Sequence, residues 1–427
     1  MSDFWRRVQA LQRRDGFVLL ASGEGLGRWS IACCEPREVV TARGDAVTIR
    51  HADGREERVT GSPFDVLEAR LGHAEARPDV PFSGGWAGWI GYEAGRRLEL
   101  PDLPDKPGAS TPDVAMGLYD DVLLLDHVTG RVTVVGEPPG DEADVPPIPA
   151  WAPARVTADF AREDYEAAVA RVREYVLAGD VYQVNLTQRL HAPLGERDPW
   201  DCFRALLRVN PSPYAAFLRF GDVVVASASP ERFVEVGGGW VTTRPIKGTA
   251  PRGATPAEDA AALRRLLASE KDLAELTMIV DLLRNDLGRV CDLVEVVAFP
   301  EAETYATVHH LVATIRGRLA RGRSVWDVLR ASLPGGSITG APKIRAMEIA
   351  DELEPVRRGV YTGAVGYVGR DGRADLNVAI RTAIVADGTV HLHGGGGVVL
   401  DSSPRGEHDE ALLKLRRMVE AFGFQGP

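Results

Sequence analysis

Apolar residues recur along this chain with two periods, and the switches between them mark its elements. FVLLASG and RWSIACC, near the N-terminus, are short apolar runs of strand type. From Asp121 to Gly136, DVLLLDHVTGRVTVVG sets two apolar runs around a Thr129-Gly130 turn, the pattern of a hairpin. A helical period follows in TADFAREDYEAAVARVREYVLAGD. There Tyr165, Val169, Val172 and Val176 share one face, and Gly179 stands where the helix ends. Thr255-Pro256-Ala257-Glu258 forms a capping box with proline in the first turn, opening one long helical run through AALRRLLASEKDLAELTMIVDLLRNDLGRV. YATVHHLVATI is strand-like, and the last third returns to hairpins turned at Asp371-Gly372 and Asp387-Gly388. Hairpin-linked strands with long helices predict an α+β fold with mainly antiparallel sheet, not a doubly wound α/β fold.

EPPGDEADVPPIPAWAPA interrupts both periods, because its prolines and acids forbid regular structure. It divides the chain into a region over 1–136 that packs on the same fold, a linker over 137–156, and a C-terminal domain over 157–423. The glycines of FSGGWAGWIGYEAGRR predict close backbone approach. With 427 residues, 44% of them hydrophobic, the chain buries a core without staples. A net charge of −11 argues against nucleic acid as a partner, while leaving room for a small anion in a local cationic pocket. No run of 18 apolar residues exists, so no membrane span is expected. Cys33, Cys34, Cys202 and Cys291 lack zinc-ligand spacing and read as reduced thiols of a cytoplasmic protein.

Several stretches carry candidate chemistry. Asp272 and Glu275, then Glu407 and Glu410, sit at i, i+3 on helical runs, so each pair shares a face. Two such faces across a pocket would suit Mg²⁺; separately, each is an ordinary solvated surface. HGGGGVV follows a strand and is either an anion cradle of backbone amides or a flexible bulge. His309 and His310 are adjacent in a strand-like run, so one points inward, as a core residue or a catalyst. RPIKGTAPRG places Lys247 in a chain with only four other lysines, Lys106, Lys271, Lys343 and Lys414, among 50 Lys and Arg. A guanidinium stays protonated, whereas a desolvated lysine can release its proton and act as a nucleophile. Arg244 and Arg252 would depress its pKa where they point toward it.

Taken in order, GDVYQVNLTQR, NPSPYAAFL, SASPERFVEV, RPIKGTAPRG, EKDLAELTMIVDLLRNDLGRV, SITGAPKIRAMEIADELE, YTGAVGYVG, VAIRTAIV and GGGGVVLDSSPRGEHDEALLK resemble the chorismate-utilising enzymes. That group includes anthranilate synthase component I, aminodeoxychorismate synthase component I and the isochorismate and salicylate synthases. The resemblance is dense from about Thr157 to Phe422 and looser before that. It implies a large α/β sandwich of the anthranilate synthase component I type. It further implies that Glu275 and Glu410 hold Mg²⁺, with Asp272 and Glu407 as companion acids. Tyr361 and Arg381 match groups that bind the substrate carboxylates, with Tyr367 as a second-choice tyrosine. Gly395, Gly396 and Gly397 match the amide cradle, Gly248 and Thr249 the opposite wall, and His310 and Ser337 further active-site positions. Lys414 would help offset the chorismate dianion.

Two positions choose the reaction within this resemblance. Isochorismate-forming members carry a lysine general base where this chain has Gln183, which cannot act as a base, so ammonia is the expected nucleophile. Anthranilate synthases carry alanine where this chain has Lys247, as aminodeoxychorismate synthases do. The resemblance therefore implies that Lys247 attacks C2 of chorismate, that Glu231 of SPERF protonates the leaving C4 hydroxyl, and that ammonia then displaces the lysine at C4. The product is 4-amino-4-deoxychorismate, of the p-aminobenzoate and folate route. No glutaminase segment is visible, so a separate glutamine amidotransferase subunit is the expected ammonia source. Ala21 stands before Ser22 where relatives often carry an acid, so their tryptophan pocket is not implied here. Alternatives are anthranilate formation, direct attack of ammonia with Lys247 only neutralising charge, and a non-catalytic scaffold of the same fold.

Overall fold

The computed structural model describes residues 3–23, 25–305 and 308–426. Its strands form two large sheets and one short pair; every pairing is antiparallel except Ala154–Arg155 beside Phe424–Gln425. One sheet has eleven strands and the other twelve. They stack face to face on a shared apolar layer. Val18, Ile31, Leu218 and Val225 of the first sheet meet Trp89, Ala115, Val365 and Tyr367 of the second there. Helices cover both outer faces. The helices Asp3–Leu11, Pro199–Val209 and Pro404–Ala421 bury their apolar stripes on the first sheet, and Pro63–Leu71 and Glu270–Gly288 on the second. This is the antiparallel α+β fold that the hairpin pattern predicts, in the sandwich form that the family resemblance implies.

The hairpins close as their turn chemistry requires. Val122–Asp126 pairs with Val132–Val135, Ala364–Gly369 with Ala374–Val378, and Thr382–Ala386 with Thr389–Val398. Asp387 and Gly388 both take positive φ, 51° and 68°, as a two-residue turn between twisted strands needs. The helix Arg162–Ala178 buries Tyr165, Val169 and Val172, and Gly179 ends it with φ 82°. Strands from the 1–136 region enter both sheets, the pair Phe17–Ala21 and Trp29–Cys33 in one, and Gly85–Ile90 with Val114–Tyr119 in the other. At Gly88 a side chain would overlap the Ala115 backbone, so glycine sets the closeness of those two strands.

Three expectations change. The long helical run splits into Pro256–Leu267 and Glu270–Gly288. The capping box at Thr255 starts the first, but the Ser269 hydroxyl accepts from the Asp272 N–H and starts a second, so a new cap overrides continued periodicity. HGGGGVV does not follow a strand; it lies within Thr389–Val398, paired with Gln183–Pro193 from Val398 to Thr389. The linker holds no helix or strand over 137–153, yet its residues Ala154 and Arg155 pair with the C-terminal strand. The strand-like histidine run is the strand Val308–Leu319, with Ala306 and Thr307 outside the described residues.

A buried ion pair pins the elements that carry the site. Lys343 opens the helix Lys343–Leu353, and its Nζ donates to Asp286 of Glu270–Gly288 at 2.6 Å, with both residues buried. Burial raises the Asp286 carboxyl to about 6 against the pull of Lys343. Lys343→Met should cost about 3–5 kcal/mol in urea unfolding, the penalty of a buried charge left unpaired. The lone acid takes up a proton more readily folded than unfolded, so the deficit should shrink as pH falls. A loss under about 1 kcal/mol, below the range for such pairs, would show that the pair does not hold these helices.

Candidate active site

Lys247 lies on the strand Ile246–Pro251, opposite Leu311 of Val308–Leu319. The register shifts between Lys247 and Thr249, and the residue absorbing the shift is Gly248 at φ 74°. A bulge of this kind re-aims the neighbouring side chain. Gly248 also has no room for more: an added Cβ would lie 2.9 Å from Cγ of Asp272. The bulge thus brings the Lys247 strand against the first turn of the Glu275 helix.

The Lys247 Nζ donates to the Ser337 carbonyl at 3.3 Å. That carbonyl also accepts from Asn185 Nδ2 at 3.3 Å. Glu231, buried at the start of the strand Arg232–Gly237, bonds the Ser337 side chain and feels the charge of Lys247. Burial pushes the Glu231 carboxyl up, although Ser337 and Lys247 pull it down. Burial pushes the Lys247 amine down, and Lys414 adds to this, while Glu231, Glu275 and Glu410 oppose it. A carboxyl pushed toward its acid form thus faces an amine pushed toward its free base, the protonation states of a proton donor and a nucleophile.

The acids form the opposite wall. Glu275, in the second turn of Glu270–Gly288, is raised by burial, with Asp272 and Glu410 adding repulsion. Glu407 is buried, accepts from Ser402 Oγ at 2.6 Å, and is raised by burial and by Glu410. Burial would also raise Glu410, but Lys414, Lys271 and Lys247 outweigh it and hold that carboxyl below its usual range. Lys414 pairs with Glu410 at 2.6 Å and donates to the Gly395 carbonyl at 2.9 Å. It therefore clamps the glycine strand to the Glu410 helix. Among the described residues no group of three or more His, Cys, Asp or Glu side chains forms a metal cage. The hard carboxylates of two helices, Glu275 and Glu407 pushed up mainly by burial and Glu410 held down by lysines, instead fit a cation that shares its shell with water and substrate.

The glycines supply the floor. Thr382–Ala386 pairs with Thr389–Val398 only as far as Leu392, so beyond it one edge of the glycine run has no sheet neighbour. Alternate amides on that edge are then free to face an anion. A Cβ on Gly396 would come 3.0 Å from Glu407 and 3.5 Å from both Glu410 and Lys414, so only glycine leaves this space open. At Gly397 a side chain would overlap the Gln183 amide. Arg381, at φ 52°, donates to the Lys414 carbonyl and feels Tyr361 and Glu410. Tyr361 is buried, raised to about 12 by burial, and stacks on His393 with ring centroids 5.0 Å apart.

The two histidines divide as the strand period predicts. His309 is buried and bonded to Thr304 and Asp259, a core role. His310 bonds Thr249 Oγ1 at 2.9 Å, is lowered by burial, and feels Arg381, so it belongs to the cavity rim. Tyr367 packs against Phe82 in the inter-sheet core and has no part in the site. Arg244 pairs with Glu303, and Arg252 with Asp259; the causes that push the Lys247 amine down are burial and Lys414, not these arginines. Asn185 and Lys271 are site residues that the sequence reading missed. Strand alternation from Gln183 pointed to Asn185, and the scarcity of lysine pointed to Lys271.

A family model described as chorismate binding enzyme matches residues 19–420. Aminodeoxychorismate synthase component 1 of Salmonella typhimurium is 40% identical over 94% of this chain and 92% of its own. Anthranilate synthase component 1 of Pseudomonas aeruginosa is 39% identical over 94% of this chain and 88% of its own. The crystal structure of anthranilate synthase component I from Streptococcus pneumoniae superposes with a TM-score of 0.82 at 31% identity, covering 92% of each chain.

The position of Lys247 has a direct readout. Acylation of Lys247 by an amine-directed reagent, followed by peptide mass spectrometry across pH, should show a midpoint below that of an ordinary lysine. In Glu231→Gln the midpoint should fall further, because the charge that raises the amine pKa is gone. An ordinary midpoint, or a rise in the variant, would contradict the arrangement.

Proposed function

The chain belongs to the chorismate binding enzyme family, and within it we propose that this protein aminates chorismate at C4 as an aminodeoxychorismate synthase component 1. The reading is supported above all by one arrangement: a Lys247 amine pushed down by burial beside buried Glu231, with the Glu275 and Glu410 carboxylates acting on it. Position 247 separates the two component 1 reactions in the family resemblance.

Chorismate carries two carboxylates. Arg381, Tyr361 and the open amides of Gly395–Gly397 face one end of the cavity. Glu275 and Glu410 would hold Mg²⁺ at the other, with Glu407 and Asp272 beside them. When bound, the ion supplies positive charge for a substrate carboxylate. The Lys247 Nζ lone pair forms a bond to C2, both ring double bonds shift by one position, and the C4–O bond breaks. Glu231 gives its proton to the departing oxygen, so water leaves. Ammonia then bonds C4, both double bonds shift back, and the C2–N bond breaks. The nitrogen sheds its extra proton, Glu231 is reprotonated, and Lys247 returns as amine. One ammonia enters and one water leaves. Gln183 offers no base to activate water as a competing nucleophile. The name component 1 in the relatives implies a partner component, and in this reading that partner is a glutamine amidotransferase that supplies the ammonia, while the product feeds p-aminobenzoate formation.

Relatives named anthranilate synthase match almost as well, at 39% identity, and favour amination at C2 as the competing reading. Chorismate, Mg²⁺ and ammonium salts, with products read by mass and fluorescence, separate the two. Lys247→Ala should lose C4 amination by roughly 10⁴-fold, as removal of an essential nucleophile does, or divert ammonia to C2. Wild-type C4 amination by that variant would eliminate the covalent route. EDTA should abolish turnover, and Glu275→Gln or Glu410→Gln should each slow it by roughly 10²-fold or more, the scale of one lost preorganised charge contact. Full activity in EDTA would rule out the metal.

A further inference from the structure

One buried arginine organises the backbone on which Lys247 leans. Arg358 has almost no exposed surface, and its guanidinium carbon lies 4.6 Å from the centre of the Tyr92 ring. Its Nε and Nη2 donate to the two carboxylate oxygens of buried Glu354 at 2.9 and 2.6 Å. Nη2 also donates to the Asn185 carbonyl at 2.8 Å, and Nη1 to the Ile338 carbonyl at 3.0 Å. Glu354 in turn accepts from the Thr187 N–H at 3.0 Å.

These contacts continue a sheet edge past the point where its neighbour turns away. The strand Gln183–Pro193 pairs on one side with Thr389–Val398; on the other, Gly340–Ala341 pairs with Gln183 and Val184. The Asn185 N–H still finds the Thr339 carbonyl, at 2.8 Å. The next groups along that edge, the Asn185 carbonyl and the Thr187 N–H, go to Arg358 and Glu354 instead. The ion pair thus supplies a donor and an acceptor where a further strand would have supplied them. For stability alone such a pair is a poor choice, since apolar side chains of similar volume often serve as well. What they lack is a planar fork that bonds a carboxylate and two carbonyls at fixed angles.

The two carbonyls held by Arg358 flank the one that Lys247 uses. Ile338 follows Ser337 in the turn Gly336–Ile338, and the Ser337 carbonyl accepts from Lys247 Nζ and from Asn185 Nδ2, each at 3.3 Å. Asn185 is therefore fixed through its main chain by Arg358, while its side chain fixes Ser337. The Ser337 side chain bonds Glu231, so this one turn touches both the amine and the acid. After burial, the charges that act most on Lys247 are those of Glu231, Glu275, Lys414 and Glu410. Arg358 reaches the amine through the backbone it holds.

We propose that Arg358 is a positioning residue for the amination: with Glu354 it locks Asn185 and the Gly336–Ile338 turn, and so sets the Ser337 carbonyl against the Lys247 amine and the Ser337 side chain against Glu231. The inference rests on the proposed function, because it needs Lys247 to act as the nucleophile.

The test uses the full chain with chorismate, Mg²⁺ and ammonium chloride. It follows kcat and KM, the pH dependence of kcat, and the midpoint of Lys247 acylation read by peptide mass spectrometry. Arg358→Lys keeps the charge and loses the fork. Its kcat should fall by roughly 10- to 100-fold, the scale for misplacing a reacting group by about 1 Å. KM for chorismate should stay within about threefold, because the groups that grip the substrate are untouched. The Lys247 midpoint should rise by about one pH unit, since a loosened turn lets more water reach the amine, and the rising limb of kcat against pH should move with it. Asn185→Leu leaves its main-chain carbonyl for Arg358 and cuts the relay one step nearer the amine, so it decides the matter where Arg358→Lys melts early. Without Nδ2 the Ser337 carbonyl accepts from Lys247 alone and favours the charged form, so the midpoint should rise here as well. A Lys247 midpoint at the wild-type value in the folded variant would overturn the proposal, whatever happens to kcat, because a merely structural role leaves that midpoint in place. A wild type that forms no C4-aminated product would instead refute the proposed function.

Discussion

Lowering the proton affinity of one half-buried amine among carboxylates is the constraint on which this site depends. Burial alone disfavours the ammonium form of Lys247, and the adjoining carboxylates work against burial. The balance survives because Glu231 is itself buried and pushed toward its neutral form. A fully ionised Glu231 would hold the lysine as a plain salt bridge. The Ser337 carbonyl gives the amine a polar contact without adding a charge. The bulge at Gly248 and the close first turn at Asp272 are the backbone features that place the side chain there.

Around that pair the molecule solves a second electrostatic problem. A chain of net charge −11 has to receive a dianion. It does so with few cations, each given more than one task. Lys414 neutralises Glu410 and clamps the glycine strand, and its own carbonyl holds Arg381. Lys271, on the surface beside Asp272, acts on Glu275, Glu407 and Glu410 together. The acid wall is thus partly compensated. The free edge of the glycine strand contributes dipoles that need no counter-charge.

Local patterns were legible where a single interaction decides them. The capping box at Thr255, the αL glycine after Ala178 and the Asp387-Gly388 turn each depend on residues within a few positions of one another. The readings that failed were those in which two local preferences compete. Continuous helical periodicity through Ala268 lost to the Ser269 cap. The glycine run, flexible when considered alone, became strand because Gln183–Pro193 supplies a partner along its length. Arg244 and Arg252 flank Lys247 in sequence, yet distant acids draw them away.

What the sequence determined by itself was the inventory: an α+β fold with mainly antiparallel sheet, a lysine where arginine is the habit, acids paired on two helical faces, and an order of motifs that resembles one enzyme family. Those follow from short-range periodicity and residue chemistry. The tertiary structure alone decided that residues 231, 247, 275, 337, 381, 396 and 410 surround one space. It also decided that Asn185 and Lys271 join them, and that Tyr367 does not. The reason is that burial and charge act through space. A lysine's proton affinity depends on which distant carboxylates the two stacked sheets bring near it, and no spacing along the chain records that distance.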